Sequence, residues 1–286
     1  MREPFRRLLL VTNGCDETLP AMEYGVWLAR QFESHVTLLG VAEPSDRHHP
    51  VAHLLKETRA KLGAAGVHFD TVLRHGHAED VIKMVAAGEE HDLLVLGPLG
   101  RPPLRRWLMG RSFRHIMADV TMPIFYVPRL LLPPRRVLVC LGGLGYATTA
   151  ERLGLQIAGV ARASLTLLHV VPPVSLEYPL AQEILEHWED LPESDTLPGR
   201  TIRRAKALAI EAGLEAEVRV RHGSVITEIL DEFREGNYDL LCMGSPYSAH
   251  SLLHLYTPNV TAEVAEAAFV PLLTARYDEP MPESRG

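Results

Sequence analysis

The sequence predicts an α/β protein made of two tandem, doubly wound parallel sheets. Three observations carry that reading. Short runs rich in Val and Leu, almost free of charge, alternate with segments whose apolar residues recur at helical spacing. The pattern occurs twice along the chain. At 286 residues, 47% of them apolar, the chain is long enough for two domains with full cores.

The elements of the first copy follow in order. Residues 7–12 form an apolar strand, and Met22, Val26, Ala29 and Phe32 line one face of a helix over 19–32. "HVTLLGV" at 35–41 is the second strand and residues 67–74 the third. Val81, Met84 and Val85 mark a helix over 78–88, and strand four spans 92–97. "RSFRHIMADV" carries a stripe of Phe113, Ile116, Met117 and Val120, and residues 123–128 close the copy as strand five. Strands alternating with helices imply a parallel sheet with right-handed crossovers. In such sheets ligands bind beyond the carboxyl ends of the strands, at the switch point. Asn13-Gly14, His75-Gly76 and Gly97 all fall at strand ends.

The second copy echoes the first. "RRLLLVTNG" at 6–14 returns as "RRVLVCLGG" at 135–143, and "HVTLLGV" as "SLTLLHV". The offset is 129 residues for these pairs and 147 from His75 and His222 onward, so the second copy carries about 18 extra residues. They fall in 172–199, where Leu180, Ile184 and Trp188 recur four apart among Glu183, Glu186, Glu189 and Asp190. This segment reads as a short helix on an apolar patch, as a lid over the second copy's crevice near Tyr247, or as a docking element. "LLLPPRR" at 130–136 joins the copies, which sets domains at 1–131 and 132–286.

Composition excludes several classes. The net charge of −7 argues against general nucleic-acid binding. The first 133 residues are nearly balanced, with 16 basic and 15 acidic side chains, and the remainder holds 13 and 21, so an anion site belongs in the first half. No apolar run approaches the ~20 residues that span a bilayer. The opening apolar run, Leu8 to Val11, is too short for a secretory signal. Cys15, Cys140 and Cys242 are odd in number and far apart, which predicts a reducing, cytoplasmic setting. Cys140 and Cys242 read as buried thiols, and Cys15, in a loop, as the one candidate for reactivity.

The densest chemistry lies in "VLGPLGRPPLRRWLMGRS", residues 95–112. Gly97, Gly100 and Gly110 punctuate it, and Arg101, Arg105, Arg106, Arg111 and Arg114 crowd it. The N–H groups of Gly110, Arg111 and Ser112 would open a helix, and such groups attract anions. No G-K-[ST] ending is present, so this is not a Walker loop. Taken alone, the stretch suits a turn with solvated arginines better than a phosphate cradle.

In sequence order these motifs resemble the universal stress protein family in its tandem form. "LLLVTNGC" is similar to the family's first strand, "HVTLLGV" to its second, and the glycine stretch to its nucleotide signature G-x2-G-x9-G-[ST]. The resemblance covers about 5–129 and 134–277. It implies a Rossmann-like fold of the adenine nucleotide alpha hydrolase kind, five parallel strands in the order 3-2-1-4-5. It also implies a site for ATP or AMP, with Mg2+, at Thr12, Asn13, Val41, Gly97, Gly100, Arg101, Gly110, Arg111 and Ser112. Two departures stand out. The family's acidic residue after strand one is Asn13, which can bond a ribose or base without charge, and Arg111 stands where the family has Ser or Thr. In the second copy Gly244 survives, but Tyr247 and Thr257 replace the other glycines and Gly142 the acid, which predicts no nucleotide there. The resemblance further implies that fifth strands "MPIFYVP" and "FVPLLTA" pair across a pseudo-two-fold within the chain, with a homodimer as an extension.

Other side chains give weaker signals. His48, His49 and His53 lie where a loop enters a helix, and no Cys or carboxylate completes a metal set. His75 and His222 occupy matching places after strand three, suited to a ligand or to loop backbone. No nucleophile elbow or Ser-His-Asp order is present. The expectation is a stress-response binding module rather than an enzyme, with an adenine nucleotide in the first domain and a structural second domain. A nucleotide-free scaffold and a slow ATPase remain open.

Overall fold

The structure is a computed structural model and describes residues 5–43, 51–88, 91–100, 112–142, 149–173, 188–245 and 260–276. Two compact units divide the chain, one of Met1–Leu132 with Phe269–Leu272, the other of Pro133–Ala268 with Leu273–Gly286.

The first unit runs β1 (Arg7–Thr12), a single 3-10 turn (Asp16–Thr18), α1 (Leu19–Gln31), β2 (His35–Ala42), α2 (Val51–Ala64), β3 (Phe69–His75), α3 (Ala78–Gly88), β4 (Leu93–Leu96), α4 (Ser112–Asp119) and β5 (Ile124–Tyr126). Its strands lie in the order β3-β2-β1-β4-β5. The ladders are parallel, with Leu8 opposite both Val36 and Leu93. The second unit runs β6 (Arg136–Cys140), α5 (Thr149–Ala161), β7 (Ser164–Val171), a 3-10 segment (Trp188–Glu193), α6 (Leu197–Glu211), β8 (Ala216–His222), α7 (Val225–Gly236), β9 (Leu240–Ser245), α8 (Val260–Ala268) and β10 (Leu272–Arg276). Counted within the unit, its order is again 3-2-1-4-5.

The central strands explain themselves. Leu8, Leu9, Leu10 and Val11 have no exposed surface, because β1 is covered on both faces. At ~1.5–3 kcal/mol for each fully buried side chain of this size, that strand anchors the core. Both units use a glycine to bring the first helix close. A Cβ on Gly25 of α1 would stand 2.3 Å from Leu10, and one on Gly154 of α5 would stand 2.8 Å from the Cys242 sulfur. The two glycines are separated by the repeat offset, and Gly154 also meets Val139, the counterpart of Leu10, at 3.2 Å, although its nearest neighbour is on the fourth strand of the unit.

Strand ends differ slightly from the expected bounds. The third strand begins at Phe69, two residues late, and the fifth shrinks to Ile124–Tyr126, since Pro123 and Pro128 have no N–H for a ladder. Pro123 still accepts from the Leu94 N–H at 2.9 Å. His53 is exposed on α2, while His48 and His49 lie outside the described residues. Of the 172–199 insertion, Leu180 and Ile184 with their neighbouring glutamates lie outside as well, as does Tyr247. From Trp188 the chain makes a 3-10 turn that buries Leu191. α6 then starts at an N-cap, Thr196, whose Oγ1 accepts from the Gly199 N–H at 3.2 Å.

Candidate functional site

Strand β1 is flanked by β2 and β4, so the crossovers leave its two sides in opposite directions, and the crevice beyond its carboxyl end is the topological switch point of the first unit. The β1–β2 ladder ends with Thr12 opposite Gly40. Val41, fully buried, therefore stands one residue past that ladder.

The side chains at the end of β1 are knitted into their own turn. Thr18 Oγ1 donates to the Cys15 carbonyl at 2.7 Å. Its single proton being used, Thr12 must be the donor in the 2.7 Å contact between the two hydroxyls. Thr12 Oγ1 also accepts from the Gly14 N–H at 3.0 Å. Asn13 is 1% exposed. Its Nδ2 donates to the Leu99 carbonyl at 3.0 Å and to Glu43 Oε2 at 3.2 Å, and its Oδ1 accepts from the Cys15 N–H at 3.3 Å. Both amide hydrogens are thereby committed, so any ligand contact by Asn13 in this arrangement is as an acceptor.

Glu43, just beyond β2, is the residue that sequence reasoning passed over. It is buried, and its Oε1 accepts from the Ala78 N–H at 2.9 Å, where α3 begins and the helix dipole favours negative charge. One carboxylate thus joins the end of β1, the end of β2 and the start of α3.

The glycines at 97 and 100 have packing reasons. A Cβ on Gly97 would lie 2.7 Å from the Glu17 carbonyl oxygen and 2.9 Å from the Thr18 Cα, both backbone. Gly100 has φ +61°, and a Cβ there would lie 2.5 Å from the Cys15 sulfur. The loop after β4 is folded tightly over the turn after β1. Cys15 is consequently buried, with its thiol on the Leu99 carbonyl at 3.7 Å, and not the accessible thiol expected of a loop cysteine. Arg101, Gly110 and Arg111 lie outside the described residues, and Ser112 is the first residue of α4.

At the corresponding edge of the second unit, side chains bond the strand-end carbonyls. His169 stands where the first unit has Gly40, and its Nδ1 donates to the Leu141 carbonyl at 3.1 Å. Burial holds that imidazole below its ordinary pKa, against the opposing effect of the bond. Thr261 of α8, fully buried, donates to the Gly244 carbonyl at 2.9 Å. Gly142 and Pro172 occupy the places of Asn13 and Glu43. His222 stacks with Trp188 of the insertion, ring centroids 6.5 Å apart. Thr257 lies outside the described residues.

Cys140 and Cys242 are free and buried on neighbouring strands. Cys242 pairs with Val139 and Cys140 with Met243, so alternation turns the two sulfurs to opposite faces of the sheet. Burial first, then the charge of Glu232, pushes the Cys140 thiol up to about 12. Burial likewise raises Cys242 well above the usual range. Among the described residues, no three His, Cys, Asp or Glu side chains gather as a metal set, and no helix is long and apolar enough to cross a membrane.

The sequence profile of the universal stress protein family matches residues 4–128 and again 134–276. A universal stress protein of Methanocaldococcus jannaschii is 23% identical over 141 residues, 44% of this chain and 83% of that protein. A universal stress protein from Archaeoglobus fulgidus superposes with a TM-score of 0.68 at 16% identity, over 97% of this chain and 98% of its own. A functionally unknown Pseudomonas aeruginosa protein gives the same TM-score and identity over 96% and 94%. At such identities the structural likeness speaks for the fold.

Proposed function

The chain belongs to the universal stress protein family, with the family's domain present twice, and from that premise we propose a stress-response binding module that holds ATP, AMP or another adenine nucleotide in its first half. The observation that carries this reading is the contrast between the two switch-point edges. In the first unit glycines stand at the strand ends, Gly40 with Leu55 and Val51 of α2 packed against it and Gly97 against the turn after β1, and the signature glycines continue through Gly100 and Gly110. In the second, His169 and Thr261 bond the strand-end carbonyls directly. Val41, one residue past the β1–β2 ladder, is the backbone an adenine edge would meet. Gly97, Gly100, Arg101, Gly110, Arg111 and Ser112 form the phosphate side, with Mg2+ accompanying a triphosphate. Thr12 and Asn13 shape the turn beneath the sugar.

The module acts by binding and not by turnover, in the cytoplasm. Residues 1–131 are the nucleotide domain. Residues 132–286 are its structural partner in an intrachain pseudo-dimer, which extends to a homodimer through a second chain. Equilibrium dialysis of the full chain against labelled ATP and AMP tests this. One nucleotide per chain is expected, lost in Gly100→Val and kept in Gly244→Val. No binding at millimolar nucleotide overturns it. That result would favour a nucleotide-free scaffold, the reading supported by the commitment of the Thr12 and Asn13 side chains to their own turn.

A further inference from the structure

One place in the repeat is exposed in the first unit and covered in the second. Thr71 and Leu73 of β3 pair with Leu38 and Gly40 of β2. A Cβ on Gly40 would meet Leu55 and Val51 of α2, so Thr71, Leu73 and His75 stand on the sheet face that carries α2. β3 is the outer strand there, and α2 does not reach across it. Thr71 and His75 are exposed, and Leu73 is 46% exposed. α2 turns Lys61 toward Glu23 of α1, which puts Ala52, Lys56 and Arg59 on its opposite flank, the one beside β3. All three are exposed.

The second unit seats its own insertion at the matching place. The helix ends fix the register, because Val67 bonds the Leu62 carbonyl at 3.0 Å as Leu214 bonds the Ala209 carbonyl at 2.9 Å. Gly199, Arg203 and Lys206 of α6 therefore stand for Ala52, Lys56 and Arg59, and Val218, Val220 and His222 for Thr71, Leu73 and His75. Residues 188–195 lie against them. Trp188 stacks on His222, and Leu191 is 2% exposed. Arg203 Nη1 donates to the Pro192 carbonyl at 2.8 Å and the Ser194 carbonyl at 2.6 Å. A Cβ on Gly199 would stand 2.5 Å from the Leu191 and Ser194 carbonyl oxygens. Val218 and Val220 are half-buried where Thr71 and Leu73 are exposed. The seated segment is acidic, with Glu189, Asp190, Glu193 and Asp195 around its Trp and Leu.

We propose that the α2–β3 edge of the first unit is a docking surface for a partner protein's acidic segment carrying Trp and Leu three residues apart, the chemistry that fills the same place in the second unit. Leu73 gives the apolar contact in Val220's position, and His75 gives the ring in His222's. Lys56 and Arg59 repeat the basic flank of α6, which complements an acidic guest and disfavours a basic one. Ala52 has a Cβ where Gly199 has none, so a guest stands farther from α2 than the insertion stands from α6. Its contact rests on Leu73, His75 and Lys56. This surface is independent of nucleotide binding.

The test titrates the full chain into a fluorescein-labelled peptide of the chain's own residues 186–195, followed by fluorescence anisotropy. The second unit's tethered segment stays seated, since its effective concentration exceeds that of the free peptide. One peptide binds per chain, with a Kd on the order of 100 μM. Leu73→Asp weakens binding at least about tenfold and Lys56→Glu about threefold, and added salt weakens it further. Both positions are exposed, so both variants fold. Met84→Asp, which changes a 57% exposed apolar side chain of α3, leaves binding as it was. No saturation at millimolar peptide overturns the proposal, as does a Kd unchanged in Leu73→Asp or equally weakened in Met84→Asp. Light scattering of the chain alone tests the other occupant. A dimer that Leu73→Asp dissolves, with no peptide bound, would assign the surface to a second copy and overturn the partner segment.

Discussion

The outer strand and its helix are built on the same plan in both units, yet their contacts are made of opposite materials. In the first unit Val72 of β3 is half-buried, and Val81 and Val85 of α3 are buried. At the corresponding places the second unit has Arg219 on β8 and Glu228 and Glu232 on α7. Glu232 is 1% exposed. Arg221 Nε donates to its Oε2 at 2.7 Å, the Tyr238 hydroxyl to its Oε1 at 2.8 Å, and Arg219 lies 3.5 Å away. Arg221 also reaches Glu228 at 3.4 Å and bonds Glu235. Burial alone would lower Arg221, but its glutamates more than reverse this and hold the charge. Burial, with the bond to Glu232 and against the pull of Thr166, pushes the Tyr238 phenol up to about 12. Valines in one unit and an ion network in the other thus occupy matching positions of the repeat. They differ in what a single substitution costs, because an apolar contact fails by increments and a buried ion fails at once.

The largest expected effect follows from that asymmetry. Glu232→Ala removes the buried acceptor shared by Arg221 and the Tyr238 hydroxyl, while Arg221 keeps Glu228 and Glu235, and should cost ~2–3 kcal/mol. Urea unfolding, followed on the second unit's transition, checks the figure. A loss below ~1 kcal/mol would mean that the arginines are satisfied without Glu232, and the contrast between the units would collapse. A smaller effect is expected from rebuilding the layer as the first unit has it. Arg219→Val with Glu228→Val and Glu232→Val removes both signs together, and the triple variant should lie within ~1 kcal/mol of wild type. Arg221 keeps Glu235, and Tyr238 keeps Thr166. A triple variant as damaged as Glu232→Ala would show that the second unit's backbone is shaped for ions and cannot accept valine.

These layers also show where the sequence is legible. The alternating polarity of Glu217, Arg219 and Arg221 is visible along β8, but their pairing with Glu228, Glu232 and Glu235 needs the helix placed on the strand. The central strands were readable because a charge-free run of Leu and Val has few other fates. The switch-point edge was readable through Asn13-Gly14 and Gly97, since turns after strands require such residues. Glu43 was not, because an acid before a proline looks like loop solvation until Asn13, thirty positions earlier, is brought beside it. Cys15 failed for the same reason. Its burial depends on residues 97–100 folding over it, a contact separated by more than eighty positions. Periodicity reports which face of an element is buried. It does not report which polar side chains from distant turns will meet.

The smallest effect concerns the same pair of edges and appears only with pH. Gly40 carries no titratable group, whereas His169, in its place, is buried with its Nδ1 proton given to the Leu141 carbonyl. Burial lowers its pKa below the ordinary 6.5, so the unfolded chain binds a proton more readily than the folded one. The stability that depends on neutral His169 is therefore fully present above about pH 6.5 and is lost as pH falls through the lowered value. His169→Gln keeps a donor for the Leu141 carbonyl and removes the titration. Its melting temperature should change less than wild type's between pH 8 and pH 5.5, with the two proteins closest at the acidic end. Equal falls in both would place the acid sensitivity elsewhere, and the imidazole would then be a passive donor in the second unit's edge.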